Sequence, residues 1–323
     1  MKQLSINKND ADQRLDKFIT KTIPDLPQGL MYKFIRTKKI KVNGRRADIS
    51  YRLKEGDTVE LYIPGEFLAA PEKTDADVLF AAALKHIKPD FGIIYEDDNI
   101  LLADKKPGML THSADDSGEA GTLISHITAY LYQKGQYSPE NENSFAPALC
   151  NRIDRNTGGI VICAKNAHTL RIINQKIKTG EITKKYLCIV HGIPKNKTAV
   201  LKAYLYKDSE ANKVSVGTKA IPGSKSIITK YDVLKEKEGL SLLEVELVTG
   251  RTHQIRAHLA YIGHPLLGDG KYAVNKSDRA SGHRYQALYS YKLRFDFKEG
   301  AGELDYLRGR TFTAEKVEFA ERF

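Results

Sequence analysis

The 323-residue chain is long enough for two domains and a sizeable core. A hydrophobic fraction of 41% and a charged fraction of 28% are those of an ordinary globular protein, and no apolar run approaches the roughly 20 residues needed to cross a bilayer. A net charge of +11 implies a polyanionic partner, and without a lysine-rich amphipathic helix nucleic acid fits that charge better than a membrane surface.

In chain order, the opening MKQLSINKNDADQR lacks the basic-then-apolar layout of an export signal, so a cytoplasmic address is expected. Leu15, Phe18 and Ile19, then Leu30, Phe34 and Ile35, carry helical spacing before the alternation of KIKVNG, where Asn43-Gly44 signals a tight turn. EGDTVELYIP follows as turn and strand, which makes residues 1–65 a small α+β unit. Residues 66–90, with prolines near both ends and poor periodicity, read as a linker with one helical turn. From 91 to 323 strands dominate: GIIYEDDNILLADKK, GGIVICAK, YLCIVHG, AVLKAYLYK, SIITKYDVL, LSLLEVELVTG and ALYSYKLRFDF. Apolar spacings of three, four and seven predict helices over 122–134, 167–178 and 252–262, the last capped by Thr249 or Thr252. The expected class is α+β, built on a large, mostly antiparallel mixed sheet.

Nine basic residues lie between Lys33 and Lys54: Lys33, Arg36, Lys38, Lys39, Lys41, Arg45, Arg46, Arg52 and Lys54, against the single acid Asp48. Most charge runs are solvated faces, but here helices, a basic turn and a basic strand converge in one small unit, which points to a phosphate backbone. The order of these elements, over about residues 12–63, resembles the alpha-L RNA-binding motif found in a small-subunit ribosomal protein and in several RNA-modifying enzymes.

Further on, NRIDRNTGGIVICAKN at 151–166 places Asp154 between Arg152 and Arg155, just before a hydrophobic strand. Flanking cations favour the charged form that a carboxylate nucleophile or metal ligand must have, although the pattern alone reads better as a polar turn before a strand. In VTGRTHQIRAHLAYIGHPLLGDGKY at 248–272, His253 and His258 are five residues apart, hence ~140° apart on a helix, which disfavours a shared metal. His253 and Arg256 are instead neighbours on the helix surface. Gly263, Gly268 and Gly270 match no nucleotide-binding spacing and read as a structural turn. Glu96, Asp97 and Asp98 are expected in a turn between two strands, and Cys150, Cys163 and Cys188, with no CxxC pair, as small buried thiols of a reducing compartment.

NRIDRNTGG resembles the HR(L/I)DxxTSG signature of the RluA-type pseudouridine synthases, and GRTHQIRAHLAYIGHPLLGDGKY is similar to their second signature almost throughout. Supporting matches at 95–112, 184–192 and 285–295 extend the resemblance over about residues 92–297. It implies a pseudouridine synthase fold with a central RNA-binding cleft and the conversion of selected uridines to pseudouridine, most readily in large-subunit ribosomal RNA, with transfer RNA as another target in the family. It further implies Asp154 as the catalytic aspartate, Tyr186 packed on the target base, Arg256 paired with the aspartate and Arg152 contacting RNA. Asn151 stands where the signature has histidine and Gly158 where it has serine. The isomerisation breaks the bond from sugar to N1 and joins the same sugar carbon to C5, so no atom is gained or lost. Neither metal nor organic cofactor is expected, and the default state is a monomer. The rival readings are a non-catalytic RNA-binding or ribosome-assembly protein on a synthase scaffold, and a metal-dependent nuclease or phosphoesterase using Glu96, Asp97 and Asp98, or Asp154 with histidines.

Overall fold

The computed structural model describes residues 1–68, 82–112, 121–208, 213–273 and 276–323, so that residues 69–81 of the expected linker lie outside the description. The chain packs into two compact units. One comprises Met1–Pro89, Ser125–Ala148 and Lys165–His168; the other comprises Asp90–Ile124, Leu149–Ala164 and Thr169–Phe323.

In the first unit, strand β1 (Lys2–Ser5) is followed by helices α1 (Leu15–Thr22) and α2 (Gln28–Arg36), then by strands β2 (Ile40–Val42) and β3 (Thr58–Leu61). The strands form an antiparallel sheet in the order β1-β3-β2. Neither helix is long enough to be stable alone, so both depend on burying one face. Leu15, Phe18 and Ile19 of α1 meet Met31, Phe34 and Ile35 of α2 over Ile40, Val42, Val59 and Leu61 of the sheet. The turn after β2 is the expected one: Asn43 and Gly44 have φ of 51° and 73°, and Val42 and Arg45 exchange backbone hydrogen bonds across it. Strand β1 is a four-residue edge strand, too short for its alternation to stand out in the sequence. A short helix, α3 (Gly65–Leu68), and a helical turn at 82–86 follow. Fully buried Asp10 accepts hydrogen bonds from Asn143 Nδ2 and Ser144 Oγ, both at 2.6 Å, and so ties 143–144 to the N-terminal segment.

The second unit is organised by an eleven-stranded sheet. Its strands are β4 (Gly92–Glu96), β5 (Ile100–Lys105), β6 (Ala148–Leu149), β7 (Gly158–Ala164), β8 (Ile182–His191), β9 (Thr198–Asp208), β10 (Lys213–Gly217), β11 (Lys225–Lys237), β12 (Leu240–Leu247), β13 (Leu288–Phe295) and β14 (Thr311–Thr313). The main path runs β10-β9-β11-β12-β8-β13-β7-β5-β4, with β14 on β13 and β6 on β7. All main-path pairs are antiparallel except β13 with β7. This is the mixed, mostly antiparallel sheet expected from the alternating strand text. Strand β7, buried at every position, reads as a continuous apolar run because both of its faces are covered.

Helix α4 (Leu123–Gln133), which from Ser125 onward belongs to the first unit, falls within a residue of expectation, and α5 (Ala167–Lys178), most of it in the second unit, coincides with it. The third, α6 (Gln254–Tyr261), starts two residues later than its periodicity suggests. Neither threonine caps it. The residue before the helix is His253, in the left-handed region at φ 53°, while Thr249 Oγ1 donates to Gln254 Oε1 at 2.9 Å. Short helices α7 (Lys276–Ala280) and α8 (Glu318–Glu321) complete the unit. As expected, the acidic run lies where β4 passes to β5: the Asp97 carboxylate accepts the Asn99 and Ile100 N–H groups at 2.7 and 2.8 Å. Cys163 and Cys188 are buried thiols, whereas Cys150 is half-buried.

Candidate active site

A carboxylate carried on a loop keeps its position only if the loop cannot drift. Residues 151–157, between β6 and β7, are held from several sides. Thr157 N–H donates to Asp154 O at 3.0 Å, and Gln286 Nε2 donates to Thr157 Oγ1 at 3.2 Å. Arg155 and Gly108 are joined twice, by the Gly108 N–H to Arg155 O at 2.9 Å and by Arg155 Nε to Gly108 O at 3.0 Å. Beneath them, Lys105 is fully buried and its ammonium donates to the carbonyls of Lys106, Met109 and Arg155 at 2.9, 2.8 and 2.9 Å. Burial pushes its pKa down to about 8, with the Asp154 charge acting in the opposite direction. The three carbonyls satisfy all of its donors, so it clamps the loop that carries Asp154.

Helix α6 supplies the cation. Gln254, almost completely buried, uses both ends of its amide: Oε1 accepts from Thr249 Oγ1 and Arg251 N–H, and Nε2 donates to Ile228 O and Thr229 Oγ1. That locks the first turn of the helix onto β11. Two residues on, Arg256 Nη1 donates to Asp154 Oδ2 at 2.9 Å, while Nε and Nη2 grip Asp269 at 2.8 and 2.9 Å. Burial opposes the guanidinium charge, but Asp269 and then Asp154 hold its pKa above the usual value. Asp269 has no exposed surface; burial alone would raise its pKa, yet the bonds from Arg256 keep it below the usual carboxylate range. Its Oδ1 also accepts the N–H groups of Lys271 and Tyr272. The array is therefore a buried carboxylate, a guanidinium and then a partly exposed carboxylate. Such an arrangement fixes the orientation of the Asp154 carboxylate in the pocket.

The pocket, about 60 Å³, is lined by Asp154, Tyr186, Leu247, His253, Arg256 and Leu288 among others, with Arg152 and Arg251 at its exposed rim. Tyr186 is 4% exposed, and burial pushes its hydroxyl up to about 12, with a hydrogen bond to Ser290 working against that rise. A larger groove, about 1070 Å³, takes Ile189 and Leu240 among its lining residues and does not include Asp154. Tyr186 and Ile189 alternate on β8, so the two side chains leave opposite faces of the strand.

Asp154, Tyr186, Arg256 and Arg152, named from the sequence, thus line one pocket. Lys33, Arg36, Lys38, Lys39, Arg45 and Arg46 are exposed on the first unit, and Lys41 is half-buried with its ammonium 5.0 Å from the Tyr62 ring centre. The two departures from the signature have local accounts. Asn151 Oδ1 accepts the Ile162 N–H at 2.8 Å, which places its side chain against β7. A Cβ on Gly158 would lie 2.5 Å from Tyr289 Cε2, so the tyrosine ring fills the space a larger residue would need. Asp269 and Lys105 were missed. The only trace of Asp269 is its place in the Gly268-Asp269-Gly270 turn, and that of Lys105 is a lysine that, after Asp104, closes a strand opening with four apolar residues. His253 and His258 diverge: His258 Nδ1 lies 3.0 Å from Thr229 Oγ1 under the helix, whereas His253 faces Asp154.

The geometry is that of an acid–base or nucleophilic carboxylate site beside a buried tyrosine, and comparison with known proteins gives it a family. A model described as RNA pseudouridylate synthase matches residues 99–261, and one described as S4 domain matches residues 13–59. The chain is 33% identical over 276 residues to a ribosomal large subunit pseudouridine synthase C of Buchnera aphidicola, covering 85% of this chain and 82% of that one. It is 31% identical over 280 residues to the protein of the same name from Vibrio parahaemolyticus, covering 86% and 82%. Among solved structures, human RNA pseudouridylate synthase domain containing 4 shares the fold, with a TM-score of 0.56 at 19% identity over 75% of this chain and 94% of that one. The chain belongs to the RNA pseudouridylate synthase family, in its RluA-type branch, and carries an N-terminal S4 domain. It is an RNA-modifying isomerase, which converts uridine to pseudouridine.

Proposed function

We propose that this enzyme isomerises specific uridines of large-subunit ribosomal RNA, with Asp154 as nucleophile, Tyr186 as the face on which the uracil packs and Arg256 as the cation that holds the aspartate. The observation that carries the reading is the 2.9 Å bond from Arg256 to Asp154 at the mouth of a pocket floored by Tyr186. The names of the relatives from Buchnera and Vibrio support the ribosomal target. Extruding a uridine costs a few kcal/mol of unstacking, which basic contacts must offset. Arg152 at the pocket rim and Lys33, Arg36, Lys38, Lys39, Lys41, Arg45 and Arg46 of the S4 domain are assigned to that role. In this reading residues 1–65 form the RNA-binding domain, 66–90 the linker and 91–323 the catalytic domain of a cytoplasmic monomer.

The test is Asp154→Asn, which keeps size and removes the charge. Pseudouridine in transcribed large-subunit RNA should fall to background while RNA affinity stays near wild type. Substantial product from the folded variant would overturn the nucleophile. Product in transfer RNA but not in ribosomal RNA would overturn the target.

A further inference from the structure

His253 stands in the Asp154 pocket with no part in the account so far. Its φ of 53° is left-handed, which non-glycine residues rarely adopt, and backbone strain of this kind persists only where the surroundings hold it. The hold is on the ring. Nδ1 lies 2.9 Å from the Tyr272 hydroxyl, and the two rings meet edge to face with centres 5.7 Å apart. The same hydroxyl receives the Val214 N–H at 3.1 Å.

The direction of the bond to His253 turns on the imidazole tautomer, because the phenol can give its proton or accept on its second lone pair. A phenol has one proton and two lone pairs, and Val214 occupies a lone pair. His253 Nδ1 is an acceptor within reach of the phenol proton. An imidazole that accepts at Nδ1 carries its single proton on Nε2. That Nε2 lies 4.0 Å from Asp154 Oδ2, too far for a hydrogen bond, and Oδ2 already receives Arg256 Nη1. In that tautomer the N–H is aimed beside the Asp154 carboxylate, where a nucleotide would lie. Burial, aided by the Arg256 and Lys271 charges and opposed by Asp154 and Asp269, lowers the pKa of the ring and keeps it neutral.

We propose that Tyr272 locks His253 in its Nε2–H tautomer and that this N–H donates to O2 of the target uracil, the base oxygen that takes up negative charge as the bond from N1 to C1′ of the sugar breaks. His253 would thus be a catalytic residue that touches substrate, and Tyr272 a positioning residue that acts through it. No proton is transferred in this role; the donor orients the nucleotide against Asp154 and meets the negative charge that the uracil carries away with the electron pair of the glycosidic bond. The proposal rests on Asp154 as the reacting carboxylate.

Two measurements on the full-length protein test it. Nitrogen NMR of labelled histidine, assigned through a His253→Gln control, should show Nδ1 unprotonated and Nε2 protonated in the wild type, and a mixture of tautomers in Tyr272→Phe. In single-turnover assays, His253→Phe should lose roughly 10²- to 10³-fold in rate with RNA affinity unchanged. His253→Gln, which keeps an N–H donor of similar reach, should recover most of that loss. A wild-type ring protonated at Nδ1, or a folded His253→Phe enzyme turning over at the wild-type rate, overturns the proposal. The tautomer does not depend on which residue is the nucleophile. An active Asp154→Asn enzyme would therefore refute the reading of Asp154 while leaving the NMR result intact.

Discussion

At the scale of single residues, Asp269 makes a sharp prediction because it takes both Nε and Nη2 of the buried Arg256. Asp269→Asn removes the charge that balances a buried guanidinium, and breaking a buried pair from one side costs about 3–5 kcal/mol. We expect a drop in melting temperature together with a loss of turnover approaching that of Arg256→Ala; wild-type stability in a chemical denaturation series would refute the role given to the pair. Tyr186→Phe, by contrast, keeps the flat face and removes only the hydroxyl that meets Ser290. RNA affinity and melting temperature should hold while pseudouridine yield falls, and an unchanged yield would reduce Tyr186 to a packing residue. Gly158 is a third case. Restoring serine there should destabilise by about 1–3 kcal/mol through overpacking against Tyr289, and Tyr289→Ala should relieve that cost, so a double-mutant cycle ought to be strongly non-additive.

At the scale of elements, α6 concentrates the site, since one turn of it holds Gln254 to β11 and directs Arg256 to Asp154. Its underside carries a pH dependence. His258 is buried against Thr229, and burial pushes its pKa down to about 4 from an ordinary 6.5. Below pH 6.5 the unfolded chain takes up a proton that the native state refuses until about pH 4. The unfolded state thus binds more protons in that window, and stability falls as the pH drops through it. The upper bound is about 3 kcal/mol. His258→Gln keeps a hydrogen-bonding group and removes the titration, so unfolding free energies measured at pH 7.5 and 4.5 should differ less than in the wild type. An equal difference would place the acid sensitivity elsewhere.

For the whole molecule, the charge of +11 is concentrated enough to be tested by salt. Deleting residues 1–65 is a poor experiment, because Asp10 is buried against Asn143 and Ser144 within the first unit and its removal would leave both without their partner. Neutralising Lys33, Arg36, Lys38 and Arg45 to glutamine avoids this, since all four are exposed. If each meets a phosphate, the slope of log affinity against log salt should fall by ~0.7–0.9 per residue changed. A slope that stays constant would assign those charges to solvation of the surface alone.

Much of this was legible in the amino-acid order because it is local. The apolar spacing of Leu15, Phe18 and Ile19, the Asn43-Gly44 turn, the apolar run of β7 and the helix over 167–178 each mark their element by a pattern contained within a few residues, although packing is what stabilises it. Asp154, Tyr186 and Arg256 were found through signatures, whereas their spacing alone left Asp154 an ordinary polar turn. What tertiary structure decided is which charges meet. Asp154 and Arg256 are 102 residues apart, and Asp269 looks like a solvated turn residue until Arg256 closes on it. The short strands β6, β10 and β14 likewise arise from neighbours that pair with them, since two to five residues carry too little periodicity to declare a strand. The left-handed His253 is the clearest instance: helical periodicity ran through it, and the start of α6 moved past it because its ring is held by Tyr272, nineteen residues further along the chain.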